Sequence, residues 1–395
     1  MSYSCCYLFM KFIWTLLTVF FCCLDFSFSL ENKLSDKQAS ILVEPFRKAG
    51  ENSSELRSAI ARLNPDRAEG LVFLIQYMPE RDLKSLSSDY LVENVNYAFK
   101  AREESEWAKS VPKDIFLNDV LPYANINERR DQWRKDFYER FSPLVKECKS
   151  LEEAAQVLNK EIWKIINVKY HARKRPKPDQ SPYESIDAGF ASCTGLSVIL
   201  IDACRAVGVP ARFVGTPMWA KKRGNHSWVE VWDGKYWKFT GACEYSAAGL
   251  GNAWFKGDAS NAIKDDPRHA IYAASWKKTE ANFPLIWDLN INYVFAENVT
   301  DNYTGKKSNR VFIQLFSKQG GDRISSEIQV WKNEKKIASG RTRDENNDTN
   351  DMLAFSLKKG DDYELRIPIK GSKELVKPFE VSGQDNEQIL FYLAE

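Results

Sequence analysis

The chain has 395 residues, of which 44% are hydrophobic and 28% are charged. This composition is ordinary for a folded protein and supplies enough apolar material for a sizeable core. Lysine and arginine total 56 against 54 aspartate and glutamate residues, which argues against a nucleic-acid binder with a basic surface and against an acidic disordered protein. The length favours two or three domains.

Residues 1–29 are predicted to be a secretory signal peptide. Lys11 precedes an apolar run at 12–23, and small residues, Ser27 and Ser29, precede Leu30; this order is typical of a cleaved leader. The run is too short to span a bilayer, and no later segment reaches the length of a transmembrane helix. We therefore expect a secreted or periplasmic protein with no integral membrane segment after cleavage.

Four cysteines follow the predicted leader: Cys148, Cys193, Cys204 and Cys243. Cys193 and Cys204 lie on one predicted helix with a rise of about 16 Å between them, which excludes a disulfide because its Cα atoms must lie within about 7 Å. A Cys148–Cys243 bridge and a Cys193–Cys243 bridge both remain open. Three histidines and no Cys-x-x-Cys pair argue against a structural zinc site.

Residues 30–150 are predicted to form a helical N-terminal region. Ser35 and Gln38 have capping-box spacing, and Asn64 precedes Pro65 as an N-cap before a proline at the first helical position. Apolar residues recur every three or four positions after these starts, which is typical of helices that pack on a core. We expect this region to be a layer over the next part of the chain.

Residues 151–297 are predicted to form an α+β core. The stretch 192–208 has the pattern of a helix that is apolar nearly all round, and such a helix is normally buried. Strands are predicted after it at 211–214, 226–232 and 236–240, the last two joined by an Asp-Gly turn at 233–234. A buried helix followed by antiparallel strands is typical of an α+β fold.

Residues 298–395 are predicted to form an all-β sandwich. Short apolar runs separated by polar, glycine-containing turns are typical of its strands. These runs lie at 311–316, 328–331, 353–357, 363–367 and 389–393. We find no reactive set of residues here and expect an accessory module.

The residues with candidate chemistry lie between 190 and 245. Cys193 opens the buried helix, where unpaired N–H groups favour a thiolate. His226 begins a strand, and the acidic Glu244 lies just past the partner strand. A cysteine, a base and a third group that orients the base are the parts required for covalent acyl transfer.

These runs resemble a known family. Cys-Thr-Gly-Leu-Ser at 193–197 and Ala-Val-Gly-Val-Pro-Ala-Arg at 206–212 resemble the nucleophile helix and following strand of the transglutaminase-like superfamily. His-Ser-Trp-Val-Glu-Val-Trp at 226–232 resembles its histidine hairpin. The resemblance covers roughly 155–275 and implies a papain-like core with a Cys-His-Asp triad, in which Cys193 is the nucleophile and His226 the general base.

The chain departs from the family at the third member of that triad. The family's aspartate falls four residues after the position of Trp237, where this chain has Gly241. Glu244 is the nearest acidic replacement, and its longer side chain is predicted to reach His226. Asp233 is also acidic, but it lies in the hairpin turn and should face solvent.

The sequence therefore predicts an exported cysteine enzyme that acts on amide bonds of a peptide or protein through a thioester, by hydrolysis more readily than by cross-linking. We expect Cys193 to help hold the oxyanion with its own N–H, and a second donor in the loop around Gln180 and Tyr183. No cofactor or metal is implied, and no carboxylate cluster has calcium-loop spacing. The alternatives are an inactive binding scaffold with the same fold, and a protein in which Cys193 pairs with Cys243.

Overall fold

The structure is a computed structural model that describes residues 34–304, 311–355, 357, 361–368, 374–382 and 387–394. The predicted leader at 1–29 lies outside these residues. Among the residues that are described, no helix combines the length and the apolar character needed to cross a membrane.

The N-terminal region is helical, as predicted. Ser35 and Gln38 form a capping box, and Asn64 caps a helix whose first residue is Pro65. The helices are α1 (Asp36–Ala49), α2 (Ser53–Arg62), α3 (Pro65–Tyr77), α4 (Glu80–Leu83), α5 (Ser88–Glu104), α6 (Glu106–Lys109), α7 (Lys113–Asp119), α8 (Arg134–Val145) and α9 (Leu151–Ile166).

The core contains a buried helix and an antiparallel sheet, which confirms the predicted α+β fold. Before the helix, β1 (Lys169–Tyr170) runs parallel to β2 (Phe190–Ala191), with α10 (Pro182–Ala188) between them. The helix itself is α11 (Cys193–Ala206), and α12 (Lys256–Ala259) follows later. The sheet strands are β3 (Ala211–Thr216), β4 (His226–Trp232), β5 (Trp237–Thr240), β6 (Tyr272–Ser275), β7 (Ala281–Asn282) and β8 (Phe295–Asn298). Their order is β5-β4-β3-β6-β8-β7, and α11 packs on β3 and β4.

The helical region packs against this core as a layer. Apolar side chains of both parts, such as Leu91, Phe137 and Ile199, belong to one continuous buried cluster. Arg134 of α8 adds a polar connection, because its buried guanidinium donates to the carbonyl of Arg205 in α11 at 3.0 Å. The helix that begins with Cys193 is therefore held on both of its sides.

The C-terminal residues form two facing sheets. Their strands are β9 (Val311–Phe316), β10 (Glu327–Lys332), β11 (Lys335–Arg341), β12 (Leu353–Phe355), β13 (Asp362–Ile367), β14 (Leu375–Glu380) and β15 (Gln388–Tyr392). One sheet has the order β11-β10-β13-β14 and the other β12-β9-β15. Apolar residues of both sheets share a core, so the predicted sandwich is present.

The sequence did not predict β11 and β14. Both are edge strands of the four-stranded sheet, and their side chains are exposed or half-buried throughout. An edge strand contributes few residues to the core, so it lacks the apolar alternation by which the inner strands were identified. The predicted boundary between core and sandwich falls in the last two residues of β8.

Candidate active site

Cys193 lies where β2 turns into α11. Ser192 precedes the helix in extended backbone geometry, so Cys193 is the first residue of a helical turn whose N–H groups lack intrahelical partners. Gly195 permits the close packing of α11 on β2, because a Cβ at that position would lie 3.0 Å from the Cβ of Ala191. Cys193 is half-buried, whereas the residues that follow it in α11 are buried.

His226 begins β4, opposite Thr216 of β3. Its side chain is buried, with the rings of Trp254 and Phe255 each 4.9 Å away between centroids. Such an apolar enclosure penalises a charged imidazole unless an anion lies beside it.

The anion beside His226 is Asp348 of the sandwich. Its Oδ2 lies 3.5 Å from Nδ1 of His226, and both side chains are almost completely buried. One donor atom from each of Cys193, His226 and Asp348 lies within 4.8 Å of the other two. The structure thus brings together the two residues that the family resemblance assigned and a third that the sequence analysis did not consider. Sulfur, nitrogen and oxygen donors of these types could also hold a cation such as zinc.

The pKa values of the pair follow from this enclosure. Burial disfavours the imidazolium, but the Asp348 carboxylate and Cys193 outweigh that penalty and raise the pKa of His226 to about 10. Burial likewise opposes the Asp348 charge, yet His226, the Asn350 N–H and Lys222 together lower the pKa of that carboxyl. At neutral pH the site therefore holds an imidazolium beside a carboxylate.

Asp348 lies in the segment that joins β11 to β12, and a buried arginine fixes that segment. The guanidinium of Arg323 donates to the carbonyl of Asn347 at 2.6 Å and to that of Asp348 at 3.0 Å. It also reaches the carbonyls of Thr349 and Asp351, each at 3.4 Å. Because four carbonyls share one buried cation, the backbone that presents Asp348 has little freedom.

The same segment is bonded to the core. Thr349 donates its N–H to the Tyr170 hydroxyl at 2.7 Å, and the Asn350 amide donates to the carbonyl of Asn225 at 2.8 Å. Lys222, whose ammonium also bonds Asp258, donates to the carbonyl of Asn350 at 3.0 Å. The sandwich is therefore joined to the core at the residues that flank His226.

Gly224 makes this docking possible, which gives a first prediction. Its φ is +97°, and an added Cβ would lie 2.6 Å from Oδ1 of Asn350. We expect Gly224→Ala to displace Asn350, to move the 347–351 segment away from His226 and to lower the rate of Cys193 alkylation at pH 6.5 at least several-fold. The matched control is Gly234→Ala, since Gly234 has a φ of +107° but open space around it. Equal losses of activity in the two variants would contradict this role, because both pay the same backbone cost.

Glu244, the predicted third member, has another partner. Its Oε2 accepts a hydrogen bond from Nε1 of Trp254 at 2.8 Å. Burial raises the pKa of Glu244 to about 8, opposed by the charge of His226 and by the Trp254 bond, with Asp348 adding to the rise. At neutral pH this carboxyl is mostly protonated, and a neutral group stabilises an imidazolium only weakly.

The glycine at 241 and the glutamate at 244 depend on each other sterically. A Cβ on Gly241 would lie 1.9 Å from Oε2 of Glu244. The Glu244 carboxyl thus occupies the space beside the position where the family carries its aspartate. An aspartate at 241 therefore requires the Glu244 side chain to move.

The raised pKa of Glu244 predicts a pH-dependent stability difference. The folded chain holds its proton up to about pH 8, whereas an unfolded glutamate loses it near 4.3. Folding stability is therefore lost as the pH rises from about 4.3 through 8. Glu244→Gln keeps an acceptor for Trp254 and cannot ionise, so it should lose less stability than the original chain between pH 5 and pH 9. Urea unfolding at pH 5 and at pH 9 measures the free energy of unfolding of each protein. Glu51→Gln, at an exposed position, is the control. An equal loss of stability in the original chain and in the Glu244 variant would contradict the prediction.

The residues expected to supply a second oxyanion donor have hydrogen-bond partners within the protein. Gln180 is fully buried, and its amide donates to the carbonyl of Phe190 at 3.0 Å. The Tyr183 hydroxyl lies 3.3 Å from the carbonyl of Gln132, among the N-terminal helices.

The cysteines expected to be candidates for disulfides are all described, and none of the four is paired. Burial and the neighbouring Glu244 raise the pKa of the Cys243 thiol to about 12.

A cleft of about 380 Å³ opens onto Cys193. The sandwich segment forms one wall through Thr349 and Asn350, and Ile286 and Trp287 form an apolar wall of the core. A cleft of this size accommodates a few residues of an extended peptide but not a folded domain.

The core thus places a cysteine at a helix N-terminus beside a histidine that begins a strand. Residues 142–242 match the sequence model of the transglutaminase-like superfamily, so the family resemblance of the core is confirmed. Cys193 and His226 lie inside the matched residues, and Asp348 lies outside them. No curated protein matches the chain.

One solved structure that matches is a candidate cysteine protease from Cytophaga hutchinsonii, with 17% sequence identity and a TM-score of 0.29. The match covers 37% of this chain and 48% of that protein, so the chain spans about half of its length. At this identity and TM-score the likeness carries no inference about function.

Proposed function

We propose that the protein is an exported cysteine enzyme that hydrolyses amide bonds of peptides or proteins. Cys193 is the nucleophile, His226 the acid and base, and Asp348 the carboxylate that keeps His226 protonated. The observation that carries this proposal is the convergence of a thiol, an imidazole and a carboxylate within 4.8 Å at the base of a cleft. A structural cysteine and a core histidine have no need of a buried carboxylate from the loop between β11 and β12.

The reaction proceeds in two halves. The Cys193 sulfur forms a bond to the amide carbonyl carbon, and the C–N bond breaks as the His226 imidazolium gives its proton to the leaving nitrogen. Neutral His226 then takes a proton from water, whose oxygen attacks the thioester carbonyl. The C–S bond breaks, a carboxylic acid leaves, and the thiolate and imidazolium are restored. Asp348 favours the charged imidazole at the beginning and end of this cycle.

Hydrolysis is the favoured outcome, because an exported protein meets water at far higher concentration than a positioned amine. The cleft also leaves Cys193 half-exposed, so water can reach a thioester formed there. Incubation with a glutamine-containing peptide mixture and a fluorescent primary amine separates the two routes. Hydrolysis predicts free acid as the main product; amine incorporation as the main product would assign the protein to cross-linking instead.

The pH dependence of Cys193 alkylation by iodoacetamide tests the proposed site without knowledge of the substrate. An ordinary thiol, with a pKa near 8.5, is only about one hundredth ionised at pH 6.5. We expect Cys193 to react rapidly at pH 6.5 and His226→Ala to abolish that reaction. Cys204→Ala is the control variant, because Cys204 is buried and its removal should leave the labelling rate unchanged. Slow labelling that is unchanged in the His226 variant would contradict an enzyme and favour an inactive scaffold.

A further inference from the structure

Three side-chain groups around the cleft that could donate a hydrogen bond are already paired with other protein atoms. These pairs are Trp287 Nε1 with Asn127 Oδ1 at 3.1 Å, Asn350 Nδ2 with the Asn225 carbonyl at 2.8 Å, and Thr194 Oγ1 with Ser227 Oγ at 3.3 Å. Acyl transfer nevertheless requires a donor for the charge that develops on the carbonyl oxygen. The side chains of Gln180 and Tyr183, the residues expected for this role, are hydrogen-bonded to backbone carbonyls.

Tyr170 lies close to the nucleophile. It is in β1, in register with Ala191 of β2, and Cys193 follows Ala191 by two residues. Its side chain is 92% buried and lines the cleft together with Cys193. The strand pairing therefore holds the phenol beside the start of α11.

The bonds of the Tyr170 hydroxyl leave its proton available. The Thr349 N–H can only donate, so it fills one acceptor position of the phenol oxygen at 2.7 Å. The Thr349 hydroxyl lies 2.9 Å away and can donate or accept. When Thr349 Oγ1 donates, both bonds to Thr349 are accepted by the phenol, and the phenolic O–H can be directed into the cleft.

The phenol also stays protonated. Burial and the nearby charges of Asp348 and Cys193 raise the pKa of Tyr170 well above its ordinary value. It therefore remains a hydrogen-bond donor throughout the pH range in which the site can work.

We propose that Tyr170 is a catalytic residue whose phenolic O–H donates a hydrogen bond to the substrate carbonyl oxygen while the Cys193 sulfur attacks the carbonyl carbon. This inference rests on the proposed function. The phenol keeps its proton throughout; the C–S bond forms, the carbonyl oxygen takes the electron pair of the C=O bond, and the hydrogen bond strengthens as that charge develops. The sandwich contributes here a second time, because Thr349 holds the phenol oxygen in place while its neighbour Asp348 pairs with His226.

Two reactions of the same thiol test this role. Acylation by p-nitrophenyl acetate builds an oxyanion, whereas alkylation by iodoacetamide displaces iodide and builds none. We expect Tyr170→Phe to lower the acylation rate about 100-fold and to lower the alkylation rate by a factor at least tenfold smaller, because alkylation loses only the anchoring of Thr349. Thr349→Val keeps the N–H and removes Oγ1, so it should lower acylation by a smaller factor. Tyr183→Phe removes a hydroxyl of the same type outside the cleft and should change neither rate.

The outcomes separate this inference from the proposed function. Equal losses of acylation and alkylation in Tyr170→Phe, with an unchanged melting temperature, would show that the phenol acts on the thiol and would overturn the inference. Unchanged acylation would overturn it as well. If the original chain is alkylated rapidly at pH 6.5 but forms no acetyl-enzyme, the proposed function itself fails and the inference fails with it.

Discussion

Asp348→Asn is expected to lower the rate of Cys193 alkylation at pH 6.5 at least tenfold, because Cys193 loses the imidazolium beside it. The amide has the shape of the carboxylate but no charge. His226 is enclosed by Trp254 and Phe255, so without the anion its burial favours the neutral imidazole. The thiol then has no cation beside it. Iodoacetamide labelling followed by mass spectrometry of the intact protein measures the rate.

Glu244→Gln is the matched control for this prediction, because it removes a second buried carboxyl near the same imidazole. The Glu244 carboxyl is mostly protonated at pH 6.5 and bonds Trp254. We expect its substitution to change the alkylation rate less than threefold. If Glu244→Gln causes the loss and Asp348→Asn does not, the orienting carboxylate is Glu244, as the sequence predicted.

Arg323→Ala is expected to have the largest effect on stability and to lower activity as well. The substitution leaves four carbonyls of the 347–351 segment without their shared donor. At about 1 kcal/mol for each of these four bonds, we expect the free energy of unfolding to fall by roughly 4 kcal/mol. Asp348 also loses its fixed position, so alkylation at pH 6.5 should fall at least tenfold. Urea unfolding and the labelling assay measure the two effects.

Arg341→Ala is the control for Arg323. Arg341 lies on an exposed edge strand and pairs with Glu327, and both side chains are more than half exposed. Removal of such a surface pair should change stability by less than about 0.5 kcal/mol and leave alkylation unchanged. A stable Arg323 variant that is alkylated at the full rate would show that the 347–351 segment does not support the site.

Local patterns were sufficient to predict the elements that carry Cys193 and His226, but not the core strands β6, β7 and β8. Caps at Ser35 and Asn64, the apolar helix after Cys193 and the alternation after His226 are each encoded within a few residues, and the structure has the corresponding elements. The inner sandwich strands were predictable for the same reason. Edge strands such as β11 were not, since their conformation depends on a neighbour and not on a buried face of their own.

The candidate site was predictable only where its residues lie in such patterns. Cys193 and His226 each open a recognisable element, but Asp348 lies in a polar run, Asp-Glu-Asn-Asn-Asp-Thr-Asn-Asp at 344–351, with nothing to separate it from a solvated turn. Its contact with His226 depends on Arg323 and on the docking of one domain on another. Glu244 was chosen for its closeness in sequence, which does not determine the direction of a side chain.

We infer that the Asp348 carboxylate of the sandwich keeps His226 protonated. An NMR titration of the imidazole resonances, with His226 assigned by substitution, measures this directly in the original chain and in Asp348→Asn. We expect His226 to titrate near pH 10 in the original chain and at or below its ordinary value of about 6.5 in the variant. A His226 that titrates at the same pH in both proteins would contradict the account.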